Sequence, residues 1–448
     1  MFDMSQLYRT GGPPRNAADL AAVLEGAILA GELAAETKLP PIRTWADELD
    51  LSPVTVGNAI KLLRNRGLVA TDGRRGTRVV GEPPDAMSIH LPLPPDVRDL
   101  RSANPDPELL PHLNRILHKL DVHQVLYGEL SVLVELVEEG VRRFTEEGVP
   151  ASADRFAVTS GGLDAIERGL RVRTRPGDRV AIEDPHFIRL IELVRMVGRV
   201  PEPVGVDERG MQPDQLERAL EAGARAVILS PRGQNPTGAA FDAQRAAELR
   251  DLIARHPEVL LVEDDHAADI AGPELHTLTN DLPGPWLAVR STSKSLGLDL
   301  RVAVLTGDAL TVRRLQSSQL VGQGWVSHIL QRLVHRLWTD AATERLLAGA
   351  RATYMRRRDA LRDALAEHGI VVAPRSWWSV WLPVHDEAGT VDALREAGWG
   401  VAAGARMRER PQPAIRISVA TLEAAEAREL AAAIAKVVRP SPSRTLAA

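Results

Sequence analysis

The chain has 448 residues, enough for two or three domains, and 44% of them are hydrophobic, which is ample for globular folding. It has no cysteine, which excludes disulfides, thiolate zinc sites and cysteine nucleophiles, and no histidine pairing with metal-ligand spacing occurs, so we expect no metal. A net charge of −5 excludes a chain that is basic throughout, so any DNA binding requires local segregation of charge. The sequence lacks a long apolar run and a secretory pattern, so we expect a cytoplasmic protein with no membrane contact.

The first 80 residues carry the pattern of three helices followed by a hairpin. Apolar residues recur at helical spacing, and Ser52 followed by Pro53 is a favourable start for the third helix. A glycine-containing turn separates two short apolar segments that read as strands. The predicted elements are helices over 16–30, 42–49 and 53–66 and strands over 68–71 and 77–80. Together they predict a winged helix-turn-helix domain over residues 14–80.

Basic residues concentrate in the second half of this head, at Lys61, Arg64, Arg66, Arg74, Arg75 and Arg78. A helix whose first turn enters the major groove, beside a basic wing, is a common way of docking on DNA. The head is therefore predicted to bind a double-stranded DNA operator, with a solvated charged helical face as the alternative.

The head resembles the GntR family of bacterial regulators. The resemblance lies in Leu39-Pro40-x-Ile42-Arg43, in Ser52-x-x-Thr55-Val56 and in Gly76-Thr77-x-Val79. It implies that Arg43 contacts phosphate and that the segment from Ser52 to Asn58 faces bases. The family often has arginine where this chain has Pro53, so Asn58 or Lys61 would have to compensate. The candidate DNA-contacting residues are Arg43, Ser52, Thr55, Asn58, Lys61, Arg74 and Arg75.

A proline-rich linker is predicted over residues 81–112, because such a composition cannot form a continuous helix or a central strand. We interpret residues 81–96 as a passive spacer. Residues 99–101 and 104–106 look like the start of the next domain.

From residue 113 onward, apolar strand-like segments alternate with helical patterns such as 165–171 and 245–255. This alternation predicts a mainly parallel sheet covered by helices on both faces, in which ligands bind at the carboxyl ends of the strands. The candidate strands are 155–159, 179–183, 226–230, 259–262, 286–290 and 302–306.

Chemically distinctive residues follow these strands in succession. Lys294, in Ser291-Thr292-Ser293-Lys294, can form a Schiff base with an aldehyde. A carboxylate beside a pyridine nitrogen makes the ring an electron sink, and Asp264 is the candidate, with Asp265 as the alternative. Asn235 can bond a ring hydroxyl, and Phe187 can stack on the ring. The candidate phosphate ligands are Ser160, Gly161, Gly162, Ser291, Ser293 and Arg301. This set predicts a pyridoxal 5'-phosphate site.

Residues 115–440 resemble the fold-type I aminotransferases. The resemblance implies an α/β domain with a mainly parallel sheet, a small C-terminal α+β subdomain from about residue 345 to 440, and a dimer whose sites lie at the subunit interface. It also implies that Arg416 grips an amino-acid carboxylate and that Tyr127 reaches the phosphate of the partner subunit. His266 stands where the family has a tyrosine that touches the ring hydroxyl. The predicted body covers residues 113–440, and 441–448 form a tail.

Head and body together resemble the MocR subgroup of GntR-family regulators. The resemblance implies a homodimeric transcriptional regulator that senses pyridoxal phosphate or a small amino compound. The alternative is an active aminotransferase with a secondary DNA-binding head, because all catalytic residue types are retained; the expected transaminase activity is at most weak. The sequence does not identify the effector, the operator or the direction of regulation.

Overall fold

A computed structural model describes residues 14, 16–29, 33, 37–65, 68–72, 76–79, 93–122, 124–410 and 412–438. The chain divides into two compact units: the first groups the residues up to Pro92 with Val194–Val200, and the second groups Leu93–Leu193 with Pro201–Ala448. No helix within the described ranges is both long enough and apolar enough to cross a membrane.

The head contains three helices and an antiparallel hairpin, as the sequence predicts. Their bounds are α1 Ala17–Leu29, α2 Ile42–Leu49, α3 Pro53–Asn65, β1 Val69–Asp72 and β2 Gly76–Val79. The core of the head is built from the apolar faces of the helices, around Leu24, Trp45, Ile60 and Leu63. The hairpin register pairs Asp72 with Gly76, and the predicted wing-turn residues 73–75 lie outside the described residues. The winged helix-turn-helix prediction is confirmed.

The body begins with a short strand, β3, Arg98–Asp99, which pairs in parallel with a short strand near the C-terminus. The Leu100 N–H donates to the Gly400 carbonyl at 2.8 Å, and the Leu100 side chain is buried. Further on, the Asp106 carboxylate forms an ion pair with Arg357 at 2.8 Å. The segment from Arg98 to Asp106 therefore contacts the body. The domain boundaries stay predictions.

An eight-stranded sheet forms the centre of the body, and all six strands predicted for it are present. The two strands that sequence reasoning missed, at residues 200–207 and 210–211, lie together at one edge. The strands are β4 Phe156–Thr159, β5 Arg179–Asp184, β6 Val200–Asp207, β7 Gly210–Met211, β8 Ala224–Leu229, β9 Leu260–Asp264, β10 Trp286–Ser291 and β11 Ala303–Gly307. Their order is β4-β11-β10-β9-β8-β5-β6-β7.

Strands β5, β8, β9 and β10 run parallel, whereas β11 runs antiparallel to both β10 and β4. The prediction of a mainly parallel sheet is confirmed. Because β9 and β10 are parallel neighbours, the residues that follow Asp264 and Ser291 meet at one edge of the sheet. The helices of this part are α4 Leu113–Leu117, α5 Val134–Glu146, α6 Gly162–Arg173, α7 Ile188–Met196, α8 Pro213–Glu221, α9 Ala243–Ala254, α10 Ala309–Val321 and α11 His328–Trp338.

A smaller antiparallel sheet follows the long helix α12, Ala341–Glu367. Its strand order is β12-β15-β14, and β15 places Arg416 opposite Trp381 of β12. The small α+β subdomain is thus confirmed as an element of the fold. The remaining bounds are β12 Ser379–Pro383, α13 Glu387–Glu396, β13 Trp399–Gly400, β14 Ala402–Ala403, β15 Ala414–Ser418 and α14 Ala424–Val437. Strand β13 is the partner of β3.

Candidate functional site

The first turn of α3 carries the residues that are predicted to meet DNA. The Thr55 N–H donates to Ser52 Oγ at 3.0 Å, so Ser52 caps the helix as its sequence position predicts. The side chains of Asn58 and Lys61 are exposed on the same helix, and Arg43 is exposed on α2. These residues lie on the surface where a groove-binding helix would need them. Predicted contacts Arg74 and Arg75 lie outside the described residues.

The body gathers its predicted phosphate ligands around the start of α6. Gly161 has φ +105°, and a Cβ built there would lie only 2.7 Å from Nη2 of Arg301. The same Nη2 donates to the Ser160 carbonyl at 3.4 Å. Gly162, the first residue of α6, lies beside Ser291, since a Cβ on Gly162 would be 3.7 Å from the serine Cβ. A helix N-terminus beside an arginine and a serine is a suitable anion site.

Lys294 follows β10 by three residues, and its Nζ donates to the Ala103 carbonyl at 2.9 Å. The side chain is half-buried. Burial lowers the pKa of Lys294 to about 8, and the positive charges of Arg416, Arg189 and Arg301 act in the same direction. A lysine with a lowered pKa is a better nucleophile near neutral pH, because only the neutral amine attacks a carbonyl.

Arg416 is buried on β15 and reaches across to the same region. Its Nη1 donates to Asn235 Oδ1 at 3.3 Å, and its Nη2 donates to the Arg101 carbonyl. Burial lowers the pKa of Arg416 to about 10, which still leaves the guanidinium charged at neutral pH. Lys294 and Arg416 therefore both donate to main-chain carbonyls of one short segment, residues 101–103.

The two candidate carboxylates at the end of β9, Asp264 and Asp265, have different surroundings. Asp265 is buried between Arg232 and Arg290, with Nε–carboxylate distances of 2.9 and 3.1 Å. Desolvation opposes its ionisation, yet the two guanidiniums outweigh that effect and lower the pKa of Asp265. Asp264, by contrast, has a buried Oδ1 with no hydrogen-bond partner in the described part of the chain. The geometry favours Asp264 over Asp265 for contact with a ligand, because Asp265 is occupied by internal ion pairs.

His266 lies next to these carboxylates. Its Nδ1 is 3.2 Å from Asp264 Oδ2, and its ring packs edge-on against Trp377 with the ring centroids 4.4 Å apart. Ser293, also predicted to bind phosphate, donates its N–H to Ser291 Oγ at 3.3 Å, and its own Oγ is buried without a partner among the residues described.

Two further residues of the predicted site are Phe187 and Tyr127. Phe187 lies half-buried in the loop between β5 and α7. Tyr127 is 94% exposed, and its ring contacts Trp325 edge-on at 5.5 Å rather than the Lys294 cluster. The roles of both stay predictions.

The head and the body each match a known protein family. The model of bacterial regulatory proteins of the gntR family matches residues 16–79, and the model of aminotransferase class I and II matches residues 97–434. The vitamin B6 salvage pathway transcriptional repressor PtsJ of Salmonella typhimurium is 40% identical over 411 residues, which cover 91% of this chain and 95% of PtsJ. The chain belongs to the MocR subgroup of GntR-family regulators.

Further matches are a second regulator and two aminotransferase structures. The regulator TauR of Rhodobacter capsulatus is 26% identical and covers 85% of this chain and 86% of its own. A single mutant of Thermus thermophilus aspartate aminotransferase has a TM-score of 0.68 and 24% identity, covering 77% of this chain and 92% of the enzyme. A multiple substrate aminotransferase from Thermococcus profundus has a TM-score of 0.70 and 19% identity, with the same coverage. The enzyme structures show the fold of the MocR body alone.

Three features of this MocR site escaped sequence reasoning. The carbonyls of Arg101 and Ala103 carry no side-chain signal, because any residue type supplies a carbonyl. The sequence analysis did not assign the buried pair of Arg232 and Arg290 to Asp265, although an arginine at the end of a buried strand, such as Arg290 on β10, is itself an unusual signal. Trp377 lies in the small-subdomain segment yet contacts His266.

Proposed function

We propose that this MocR regulator binds DNA through its head and responds to pyridoxal phosphate held at Lys294. The relative PtsJ is named as a repressor of vitamin B6 salvage, and pyridoxal phosphate is a form of that vitamin. The cofactor itself is then the primary signal for the regulator, and an amino compound at the same site is a second ligand. Repression of vitamin B6 salvage is the corresponding direction of regulation.

The residues present fit this cofactor. An unpartnered buried carboxylate oxygen on Asp264 suits a protonated ring nitrogen, and the lowered pKa of Lys294 suits covalent attachment of an aldehyde. The turn at Gly161 leaves space that a Cβ would fill, next to the guanidinium of Arg301, which suits a phosphate. Bound there, the cofactor would supply an electron sink for bonds of an attached amino compound. Asn235 and Phe187 are proposed to bond the ring hydroxyl and to cover the ring.

One observation carries the link between ligand and regulation. Lys294 and Arg416 both donate to carbonyls of residues 101–103, which come shortly after β3 near the start of the body. A cofactor on Lys294, or a ligand carboxylate on Arg416, competes with these carbonyls for the same donors. Each ligand therefore favours a different placement of the segment, which is the differential contact that coupling between two sites requires.

A homodimer is part of the proposal. Leu126, Tyr127 and Leu130 are 66%, 94% and 68% exposed within one short segment. Contiguous exposed apolar side chains of this kind are typical of a subunit interface. In a dimer, Tyr127 of one protomer would reach the phosphate site of its partner, and two heads would be available for one operator.

The test measures DNA binding by the full chain with and without pyridoxal phosphate. Fluorescence anisotropy would follow a labelled DNA fragment taken from upstream of the gene that encodes this protein. Random-sequence DNA of equal length is the control. We expect the cofactor to change the affinity or the footprint on the specific fragment only. Lys294→Ala should abolish that response while leaving cofactor-free DNA binding intact.

Two outcomes would contradict the proposal. A full chain that binds neither fragment at low salt would remove the DNA-binding role, since electrostatic attraction is strongest there. Steady transamination on the order of ten turnovers per second, with no ligand-dependent change in DNA binding, would favour the aminotransferase instead.

A further inference from the structure

We infer that His266 is a positioning residue that holds Asp264 for the cofactor's ring nitrogen, rather than a contact to the ring hydroxyl. The inference rests on the proposed function, because it concerns the same cofactor. It differs from the role that the family resemblance implies for this position, which is contact with the ring hydroxyl.

The contact between the two side chains is the starting point. His266 Nδ1 lies 3.2 Å from Asp264 Oδ2, which is an ion-pair distance when the imidazole is protonated, and Nδ1 makes no hydrogen bond among the described residues. Both side chains are largely buried, with 16% and 18% exposure. The other oxygen of the carboxylate, Oδ1, is buried and has no hydrogen-bond partner in the described ranges. The carboxylate is thus divided: Oδ2 faces the imidazole, and Oδ1 is left for another group.

Two other acidic side chains near His266, Asp265 and Glu183, are less suited to pair with its imidazole. Asp265 is paired with two arginines, as described above. Glu183 accepts hydrogen bonds from the Ser230 N–H at 3.1 Å and from Gln234 Nε2 at 3.3 Å, and burial raises its pKa to about 7. A carboxyl with that pKa is only partly ionised at neutral pH. Asp264 is therefore the carboxylate that the imidazole serves.

Packing fixes the imidazole in this orientation. The ring of Trp377 lies 4.4 Å from it at an interplanar angle of 62°, and Trp377 itself is buried. Trp377 fits because Gly233 has no side chain, since a Cβ there would lie 2.6 Å from the indole. The His266 imidazole, packed against Trp377, has little freedom to turn toward a second partner. Its effect on Asp264 is therefore geometric as well as electrostatic.

The test uses three substitutions that separate the parts of the imidazole. His266→Phe keeps a ring against Trp377 but removes both nitrogens. His266→Asn places an amide nitrogen near the position of Nδ1, and His266→Gln places one near Nε2. Cofactor affinity would be measured by equilibrium dialysis with two probes, pyridoxal phosphate and an analogue that has CH in place of the ring nitrogen.

If His266 acts through Asp264, His266→Phe should lower the affinity for pyridoxal phosphate by about tenfold, which is the effect of losing one charge-assisted contact. The affinity for the analogue should not change. His266→Asn should restore most of the affinity for pyridoxal phosphate, and His266→Gln should not. The absorbance maximum of the bound cofactor, which depends on ring protonation, should shift in the Phe and Gln variants only. Thermal unfolding of the unliganded variants checks that the fold is retained.

An equal loss for both probes, or rescue by Gln rather than Asn, would place His266 at the ring hydroxyl and overturn the inference. An unchanged affinity in all three variants would also overturn it. If His266→Phe does not fold, the comparison of Asn with Gln on the two probes decides the same question. Failure of the unmodified protein to bind pyridoxal phosphate would instead contradict the proposed function, so the two failures are distinguishable.

Discussion

The rate at which pyridoxal phosphate attaches to Lys294 should depend on pH, because the surroundings of the lysine determine its pKa. The neutral amine is the reactive form, so the rate should rise with pH until the lysine is deprotonated and then level off. With a pKa of about 8 in place of 10.5, about one amine in ten is neutral at pH 7, against about one in three thousand for an ordinary lysine. The fraction of reactive amine at neutral pH is therefore roughly 300-fold larger than for an unperturbed lysine.

Arg416→Gln provides the perturbation, because Arg416 is the first of the charges that lower the pKa of Lys294, after burial itself. Removing its positive charge should raise the pKa and move the midpoint of the rate profile to higher pH. Stopped-flow absorbance on cofactor-free protein between pH 6 and pH 11 would measure the profile. The same reaction with a free lysine derivative, run in parallel, corrects for ionisation of the cofactor. A midpoint near that of the free amine, or a midpoint that Arg416→Gln lowers, would refute the reasoning.

Three further predictions concern single substitutions. Gly161→Ala should weaken cofactor binding without unfolding the body, because the new Cβ would crowd the Arg301 guanidinium at 2.7 Å and φ is +105°; equilibrium dialysis would show this, and unchanged affinity would count against the phosphate assignment. Asp265→Asn should lower stability to urea by about 3 kcal/mol, since Arg232 and Arg290 lose the buried carboxylate between them and keep the more exposed Glu147 as their ionised partner; a small change in the unfolding midpoint would contradict that. Arg43→Ala should weaken binding to all DNA and lower the salt slope by about one, whereas Asn58→Ala should change sequence preference; the reverse pattern in anisotropy titrations would exchange the two roles.

Local patterns in the sequence predicted the main elements because those elements depend on local rules. Ser52 and Pro53 mark the start of α3 by capping chemistry alone, and the apolar segments that end at Asp264 and Ser291 form adjacent parallel strands. Their spacing places Lys294 and Asp264 at one sheet edge without knowledge of any distant contact.

Contacts between distant parts of the chain could not be predicted in the same way. Lys294 and Ala103 are separated by 191 positions, and the acceptor is a carbonyl that every residue possesses. The choice between Asp264 and Asp265 also required the structure, because the two arginines that occupy Asp265 lie on different loops and strands. The strand β3 was equally hidden from local patterns, because it has only two residues and pairs with a strand near residue 400.

The acceptors at residues 101–103 have an evolutionary consequence, because they belong to the main chain. A side-chain acceptor is lost by one substitution, whereas a carbonyl persists whichever amino acid occupies the position. Related chains could therefore exchange the side chains at 101 and 103 freely and still present oxygens to Lys294 and Arg416. Insertion or deletion of a residue between β3 and Arg101 would be more damaging, since it would shift both oxygens relative to β3 at once. Selection on this link should thus be visible as constancy of segment length rather than of sequence.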